Sequence, residues 1–183
     1  MNQAPKEFIR VSYERLRDFV TTAVTTVGLP DDKAGLLGQL LATNDLRGIF
    51  SHGTQQIATY ALLMRDGTLN NQPEVEVVQE TPSSLLVDGD GGLGYFPAYE
   101  GTQRVIEKAR ETGIAVMSSR NHGHFGAAGI YARMPLEHDL LTFVTSGVQQ
   151  DLRPGNDIFS AGGGSPMAFS APAGQESSLV LDF

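Results

Sequence analysis

The chain has 183 residues, of which 40% are hydrophobic and 19% are charged, and its formal net charge is −8. This composition is typical of a protein with a packed core. No cluster of lysine and arginine is present to neutralise phosphates, so we expect no nucleic-acid partner. Because the chain has no cysteine, disulfides, zinc ribbons and thiol nucleophiles are excluded.

The N-terminus carries no targeting pattern, since no apolar run follows a basic start. No apolar stretch in the sequence approaches the roughly 20 residues that a membrane-spanning helix needs. We therefore expect a cytoplasmic protein without a membrane partner.

Three helices are predicted in residues 1–72, preceded by a short strand at 8–11. Apolar residues recur at helical spacing and define an inward face on each helix. We interpret this stretch as a helical segment that carries a Ser-His-Gly motif. The boundary signals are Ser12 as cap of the first helix, Gly28 and Pro30 at its end, Asp31 at the start of the second, and Ser51 as N-cap of the third.

Residues 73–183 alternate between strand and helix patterns, which predicts an α/β domain. The pattern at 114–117 predicts a buried strand. Pro135 is expected to end the helix predicted at 127–134. The predicted strands are 75–78, 85–87, 114–117, 140–145, 167–169 and 179–183, and the predicted helices are 96–112 and 127–134. Because the chain stops on an apolar strand, we expect the natural unit to be longer.

A glycine-rich loop, 89–94, matches G-x-G-x-x-G and stands between a predicted strand and a predicted helix. That arrangement is typical of a dinucleotide clamp. However, Asp88 and Asp90 would bring two negative charges to the place where a pyrophosphate sits, and Pro97 lies early in the helix. We therefore interpret the loop as a tight strand-to-helix turn.

Two of the four histidines occupy settings that suit catalysis. His52 follows Ser51 and precedes Gly53, and His124 lies within 121–126, so that each is at a turn of small residues. An imidazole, with an ordinary pKa of about 6.5, exchanges protons near neutral pH. The alternative for each is a structural histidine that packs at a helix start. Both are candidate catalytic acid–base groups.

Side chains near His52 form a candidate substrate-binding set. Arg47 lies just upstream, and helical spacing from His52 would place Gln56 and Tyr60 on the same face. Charged, amide and phenol groups along one face suit a small oxygenated substrate. With Ser51, these residues are the predicted substrate contacts.

His122 and His124 would face the same way on an extended segment, which also permits a metal site. A metal needs further ligands, and no recognised spacing supplies them. We therefore predict no metal, and a small metal-dependent enzyme stays as an alternative hypothesis. The acidic residues that could act as distant metal ligands are Asp139, Asp151 and Asp157. The fourth histidine, His138, is interpreted as a solvated surface residue.

Several segments, in one order and at one spacing, carry a resemblance to a known family. They are 45–53, 87–94, 108–115, 120–129, 164–166 and 181–182. Together they resemble the malate/L-lactate dehydrogenase family that lacks a Rossmann fold, which includes ureidoglycolate dehydrogenase, 2,3-diketogulonate reductase and piperideine-2-carboxylate reductase. The resemblance covers nearly the whole chain, and the chain is similar to an N-terminal half of such a protein.

The resemblance implies an α/β fold in which N-terminal helices precede a mixed, largely antiparallel sheet flanked by helices. It implies reversible hydride transfer between NAD or NADP and a small 2-hydroxy or 2-keto acid, in a homodimer. His52 and His124 match the family's two active-site histidines. We favour His124 as the acid–base group and His52 as its partner, and the opposite assignment stays open. The implied cofactor-binding residues are His124, Phe125, Gly126, Ser165, Pro166 and Asp182.

Two departures from the family pattern bear on function. Gln56 stands where the family often has arginine, and a neutral amide cannot grip a carboxylate with two charged hydrogen bonds. The stretch 164–166 reads Gly-Ser-Pro, where the family shows Thr-Asn-Pro. The competing hypothesis is a truncated, non-catalytic relative that serves as a binding or assembly module. It predicts an exposed apolar edge at 179–183.

Overall fold

The computed structural model describes residues 7–147 and 165–183. Asp151, Asp157 and Gly164 from the predictions above lie outside these residues. The helices are α1 (Tyr13–Thr25), α2 (Asp31–Leu46), α3 (Ile57–Arg65), α4 (Tyr95–Thr112) and α5 (Ala128–Arg133). The strands are β1 (Glu76–Glu80), β2 (Ser84–Asp88), β3 (Val116–Arg120), β4 (Thr142–Thr145), β5 (Met167–Ala171) and β6 (Leu179–Asp182).

The first two helices form as the sequence predicts. Ser12 is the N-cap of α1, and its hydroxyl accepts a hydrogen bond from the Arg15 amide at 3.4 Å, which satisfies one of the free amides at the helix start. The apolar faces of α1 and α2 pack against each other, and their most buried members include Val20, Leu37 and Leu41.

The start of the third helix was wrongly predicted. Ser51 does not cap an α-helix, because it lies inside a 3-10 turn at Phe50–His52. A second 3-10 turn covers Thr54–Gln56, and α3 begins only at Ile57. Gly53 separates the two turns with an extended backbone, φ −97° and ψ −154°, so the helical hydrogen-bond ladder cannot run through it.

The strand predicted at 8–11 was also wrong. These residues form no strand in the structure, and Phe8 and Ile9 are 61% and 86% exposed. A strand needs a neighbouring strand to pair with, and residues 8–11 have none in the described chain. Alternation of apolar and polar side chains was therefore not enough to predict a strand.

The strands form two three-stranded sheets among the described residues, in the orders β1-β2-β3 and β4-β5-β6. β2 and β3 are parallel and are joined through α4, whereas the other pairs, β1–β2, β4–β5 and β5–β6, are antiparallel. The predicted α/β class with mixed, largely antiparallel pairing is therefore confirmed. The pairing places Leu85 opposite Met117 and Phe143 opposite Phe169.

The third strand is neither placed nor buried as expected. β3 begins at Val116, two residues later than predicted, and Ile114 and Val116 are 76% and 64% exposed. β3 pairs with β2 on one side, and its other edge is open in the described chain. A strand at a sheet edge can leave apolar side chains in solvent, so the buried-strand interpretation was wrong.

The main core lies between the helices and draws on both predicted segments. Three tyrosines, Tyr60, Tyr95 and Tyr131, are among its largest buried side chains, together with Phe96. The division at residues 72 and 73 stays a prediction. In the parts of the chain described here, no helix combines the length and apolar character needed to cross a bilayer.

Candidate active site

The last turn of α2 holds the segment that carries His52. Asn44 Nδ2 donates to the main-chain oxygen of His52 at 2.9 Å. The next residue, Asp45, accepts from the amide of Thr54 at 3.1 Å and from its hydroxyl at 2.5 Å. A Cβ on Gly53 would overlap the Asp45 carboxylate. Asn44 and Asp45 therefore hold the chain at His52 and at Thr54, and only glycine fits at the position between those two residues.

The glycine-rich loop 89–94 holds the segment that carries His124. Its amides donate to main-chain oxygens of 120–124 and are thereby committed within the protein. A phosphate-binding loop needs such amides free, so the geometry supports the interpretation as a turn. The three bonds are Gly89 N to Arg120 O at 3.0 Å, Gly91 N to Asn121 O at 2.8 Å and Gly94 N to His124 O at 3.0 Å.

The two candidate imidazoles come together although they are distant in the sequence. The ring centroids of His52 and His124 are 5.4 Å apart, with an angle of 34° between the planes. The hydroxyl of Tyr60 lies 2.6 Å from Nδ1 of His124. The hydroxyl of Tyr95 lies 3.3 Å from that of Tyr60. The site thus contains two phenols in series, Tyr95 and Tyr60, and the second of them contacts His124, which pairs with His52.

The surroundings of these groups set their charge states. Burial of part of the His124 ring lowers its pKa, and the nearby charge of His52 lowers it further. Burial raises the pKa of Tyr60 to about 12 and that of Tyr95 well above its ordinary value. Both phenols therefore stay protonated at neutral pH, and the neutral form of His124 is favoured.

Ser51 and Gln56 lie beside His52 but are turned toward their own segment. The Ser51 hydroxyl is 2.9 Å from Nδ1 of His52, and Gln56 Nε2 donates to the Ser51 main-chain oxygen at 2.7 Å. The helical spacing assumed for His52, Gln56 and Tyr60 was wrong, because two 3-10 turns precede α3. As a result, Tyr60 hydrogen-bonds His124, and no hydrogen bond joins it to His52 among the described residues.

Two arginines, Arg47 and Arg133, lie close enough for their charges to interact. Arg47 is exposed and follows α2 as its C-terminal cap. Burial of part of its side chain lowers the Arg47 pKa, and the positive charge of Arg133 adds to this. Neither arginine forms an ion pair with any residue that the structure describes. Arg133 Nε is also buried and has no hydrogen-bond partner within the described part of the chain. The two cations are thus available to an anion.

His122 has a structural setting. Its Nδ1 lies 2.8 Å from the Gly123 oxygen, which can only accept, and its Nε2 lies 2.8 Å from the Ser119 hydroxyl. Both ring nitrogens are therefore engaged, with the proton assigned to Nδ1. Within residues 7–147 and 165–183, no group of three or more histidine and acidic side chains is arranged to hold a metal. The metal hypothesis gains no support from this geometry.

Phe125 and Gly126, two predicted cofactor contacts, follow His124 directly. The Phe125 ring stacks on Tyr131, with centroids 5.4 Å apart and planes 13° apart. Gly126 is buried with φ +85°, and a Cβ there would lie 2.5 Å from the Tyr95 ring. Glycine is therefore required at this bend, and it keeps the backbone close to the tyrosine cluster.

The other predicted cofactor contacts lie in the second sheet. Ser165 and Asp182 are exposed, and Pro166 is half-buried. Pro166 accepts a main-chain hydrogen bond from Ser146 at 3.3 Å. The Asp182 carboxylate lies against Gly129 in the first turn of α5, where a Cβ would collide with it. The structure gives no direct contact between these residues and the histidine pair.

A large open groove lies apart from the histidine pair. It has a volume of about 950 Å³ and runs between β3 and β4, over α4. Phe125 and His122 border it, whereas His52 and His124 do not. Apolar side chains on its rim are strongly exposed; Leu141 and Phe143 are 65% and 60% exposed. The histidine pair lies outside this groove, with His124 exposed and His52 half-buried.

Sequence reasoning missed four residues of this site: Asn44, Asp45, Tyr95 and Arg133. One signal was available for Asn44, which follows Leu37 and Leu41 at helical spacing and so had to face inward. A polar residue at a core position of a helix calls for a buried partner. No sequence pattern joined Arg133 to Arg47, because they meet only in the folded chain.

Comparisons with known proteins agree with this picture. The family model described as malate/L-lactate dehydrogenase matches residues 11–183. A malate dehydrogenase of Pyrococcus horikoshii is 34% identical over 177 residues, which are 97% of this chain and 49% of that protein. The NAD(+) ureidoglycolate dehydrogenase of Escherichia coli O157:H7 is 27% identical over 176 residues, 95% of this chain and 50% of that protein.

The solved structure of the malate dehydrogenase from P. horikoshii OT3 superimposes with a TM-score of 0.84 at 32% identity. It covers 99% of this chain, and 52% of that chain is matched. The present chain thus spans about half the length of the curated relatives it matches. Since the family model spans nearly all of its residues, the chain belongs to the malate/L-lactate dehydrogenase family.

Proposed function

We propose that this chain carries the proton-transfer part of an NAD(P)-dependent dehydrogenase that acts on a small 2-hydroxy or 2-keto acid. The proposal depends on one observation: the ring centroids of His52 and His124 are 5.4 Å apart. Oxidation of a hydroxyl to a carbonyl releases a proton, and reduction consumes one. A pair of imidazoles, one exposed and one half-buried, suits that exchange near neutral pH.

The two phenols in series support a specific proton arrangement. If Tyr95 donates to Tyr60 and Tyr60 donates to Nδ1 of His124, each phenol proton has an acceptor. Neutral His124 then carries its own proton on Nε2. In that form its remaining N–H can donate a hydrogen bond to the substrate oxygen, as an electrophile rather than a base.

His52 is then the group that takes up or delivers the substrate proton. The lowered pKa of His124 supports this assignment, which reverses the one favoured from the sequence. A neutral His124 holds the oxygen in place, and His52 beside it removes the proton in oxidation and returns it in reduction. Ser51, whose hydroxyl contacts Nδ1 of His52, would orient that ring.

The substrate carboxylate requires a cation, and Arg47 is the proposed partner. The Gln56 amide donates back to Ser51, so it is not placed to grip an anion. Arg47 has no ion pair in the described part of the chain, and the charge of Arg133 lies near it. Arginine binds carboxylates through paired, charged hydrogen bonds.

The predicted cofactor residues have a donor set that fits a nicotinamide nucleoside. Phe125 offers an aromatic surface next to His124, and exposed Ser165 and Asp182 offer a hydroxyl and a carboxylate to ribose hydroxyls. When bound, the nicotinamide would accept or supply the hydride at the carbon that bears the substrate oxygen. The choice of NAD or NADP and the homodimeric assembly stay predictions from the resemblance.

One observation favours the second hypothesis, a non-catalytic binding or assembly module. The edge at 179–183 is apolar and exposed as that hypothesis predicts: Leu179 and Leu181 are each 49% exposed and Phe183 is 72% exposed. Exposed apolar edges mark surfaces that bind other polypeptides. Cofactor binding separates the two hypotheses, because only the dehydrogenase requires it.

The test uses the 183-residue chain with NADH and NADPH in separate titrations, followed by nucleotide fluorescence. Turnover is then measured with a panel of 2-hydroxy acids that includes malate and lactate, by the absorbance of reduced nicotinamide. We expect binding of at least one nucleotide, and a His52→Gln variant that binds it but loses turnover. No binding of either nucleotide would overturn the proposal and favour the binding module.

A further inference from the structure

The side chain of Asn44 is unusual for its place in the fold. It is fully buried on α2, on the same face as Leu37 and Leu41, which are also fully buried. Its amide nitrogen donates to the main-chain oxygen of His52 at 2.9 Å. Its amide oxygen Oδ1 is buried and has no hydrogen-bond partner among the described residues.

The stability of the fold does not explain why an asparagine occupies this buried position. A buried acceptor without a partner costs more free energy than one neutral hydrogen bond of the same side chain returns. Leucine has the same number of side-chain heavy atoms and the same branching at Cγ, and it would remove the unpaired oxygen. The fold would therefore be served about equally well by an apolar residue at this position.

The contact is made at one specific place, the carbonyl of His52. The 3-10 turn at Phe50–His52 has no side-chain cap of its own. Asp45 restrains the chain only from Thr54 onward. Ser51 contacts the ring of His52 and Gln56 bonds the main chain at Ser51, whereas the Asn44 amide, from the last turn of α2, bonds the main chain at His52 itself.

We propose that Asn44 is a positioning residue, whose amide fixes the backbone at His52 and so holds its imidazole next to His124. The proposal rests on the proposed function for its catalytic meaning, but the geometry that it explains can be tested without turnover. Asn44 touches no substrate atom in this account. It acts through His52.

The experiment compares Asn44→Leu and Asn44→Ala with the matched variants Asn71→Leu and Asn71→Ala. Asn71 is a suitable control because its Nδ2 donates to the main-chain oxygen of Val27 at 2.6 Å, a bond of the same kind. The 183-residue chain is labelled at histidine for NMR. The measurements are the cross-relaxation between the His52 and His124 rings and the pH titration of His124.

We expect both Asn44 variants to lose the ring-to-ring signal. The pKa of His124 should rise toward its ordinary value, because the nearby charge of His52 contributes to its lowering. Asn44→Leu should melt close to the parent chain, and the Asn71 variants should keep both the signal and the titration. If the parent chain turns over, Asn44→Leu should reduce kcat by about 10- to 100-fold with little change in KM.

A folded Asn44 variant that keeps the ring-to-ring signal and the His124 titration would overturn the proposal. Equal losses in the Asn71 variants would also overturn it, since they would indicate general loosening. If Asn44→Leu does not fold, Asn44→Ala decides the question. Absence of turnover in the parent chain would contradict the proposed function alone, because the ring geometry is measured independently of it.

Discussion

Tyr60 places its hydroxyl 2.6 Å from Nδ1 of His124, across two different parts of the fold. The phenol comes from α3 and the imidazole from the loop before α5. Because the phenol stays protonated at neutral pH, it can hold the tautomer of His124. This contact links the helical N-terminal segment to the α/β segment at the candidate site.

The Tyr60→Phe variant tests that contact. Without the hydroxyl, the His124 ring loses its partner on Nδ1 and can change both its tautomer and its orientation. We expect turnover to fall by up to about 100-fold while nucleotide binding is retained. Tyr99→Phe on α4 is the matched control and should behave like the parent chain. Unchanged turnover in Tyr60→Phe would contradict a role for this hydrogen bond.

The pH dependence of stability follows from the lowered pKa of His124. Between its folded pKa and the ordinary value of about 6.5, the unfolded chain binds more protons at this residue. The free energy of unfolding must therefore decrease as the pH falls through that window, and the contribution is complete above about pH 6.5. Urea unfolding over a pH series should show a flatter dependence in His124→Gln. His138→Gln, at an exposed position, is the control, and equal slopes in all three chains would contradict the prediction.

The candidate histidines could be predicted from the sequence because their chemistry is local. Each lies at a turn rich in small residues, and imidazole has few equivalents for proton exchange near neutral pH. The α1 and α2 helices were equally accessible, since Ser12 and the apolar spacing define them without reference to the rest of the fold.

The rest of the site depended on tertiary contacts. Helical spacing put Tyr60 beside His52, but Gly53 and the Asp45 carboxylate impose 3-10 turns that break the spacing. Tyr95, the first residue of α4, reaches the site only because it is buried in the same core cluster as Tyr60. The exposure of Ile114 likewise could not be predicted from the sequence, because an apolar run does not show whether its strand is central or at an edge of the sheet.

Gly53→Ala tests the packing of the Asp45 carboxylate against the turn. The added Cβ would overlap that carboxylate and displace its hydrogen bonds to Thr54. We expect a loss of about 1–3 kcal/mol in the free energy of unfolding and a loss of turnover. Gly35→Ala on α2 is the control: nothing lies within 4 Å of its Cβ, so it should stabilise the chain by about 0.5–1 kcal/mol. Unaltered stability in Gly53→Ala would contradict the packing argument.

Arg47→Gln tests the proposed carboxylate contact. Loss of a charged hydrogen-bond donor should raise KM for the hydroxy acid by about tenfold or more. The affinity for the nicotinamide nucleotide should be unchanged. Arg65→Gln, which removes only a surface ion pair with Asp66, serves as the control. If KM is unaltered in Arg47→Gln, another residue must hold the carboxylate.

The most direct measurement uses the four histidines of the chain as internal probes. Ring resonances are recorded by NMR while reduced nicotinamide nucleotide and a 2-keto acid are added together. We expect the signals of His52 and His124 to shift together, whereas His122, bonded at both nitrogens, and exposed His138 stay in place. Unshifted signals from His52 and His124 under saturating ligand would contradict the account.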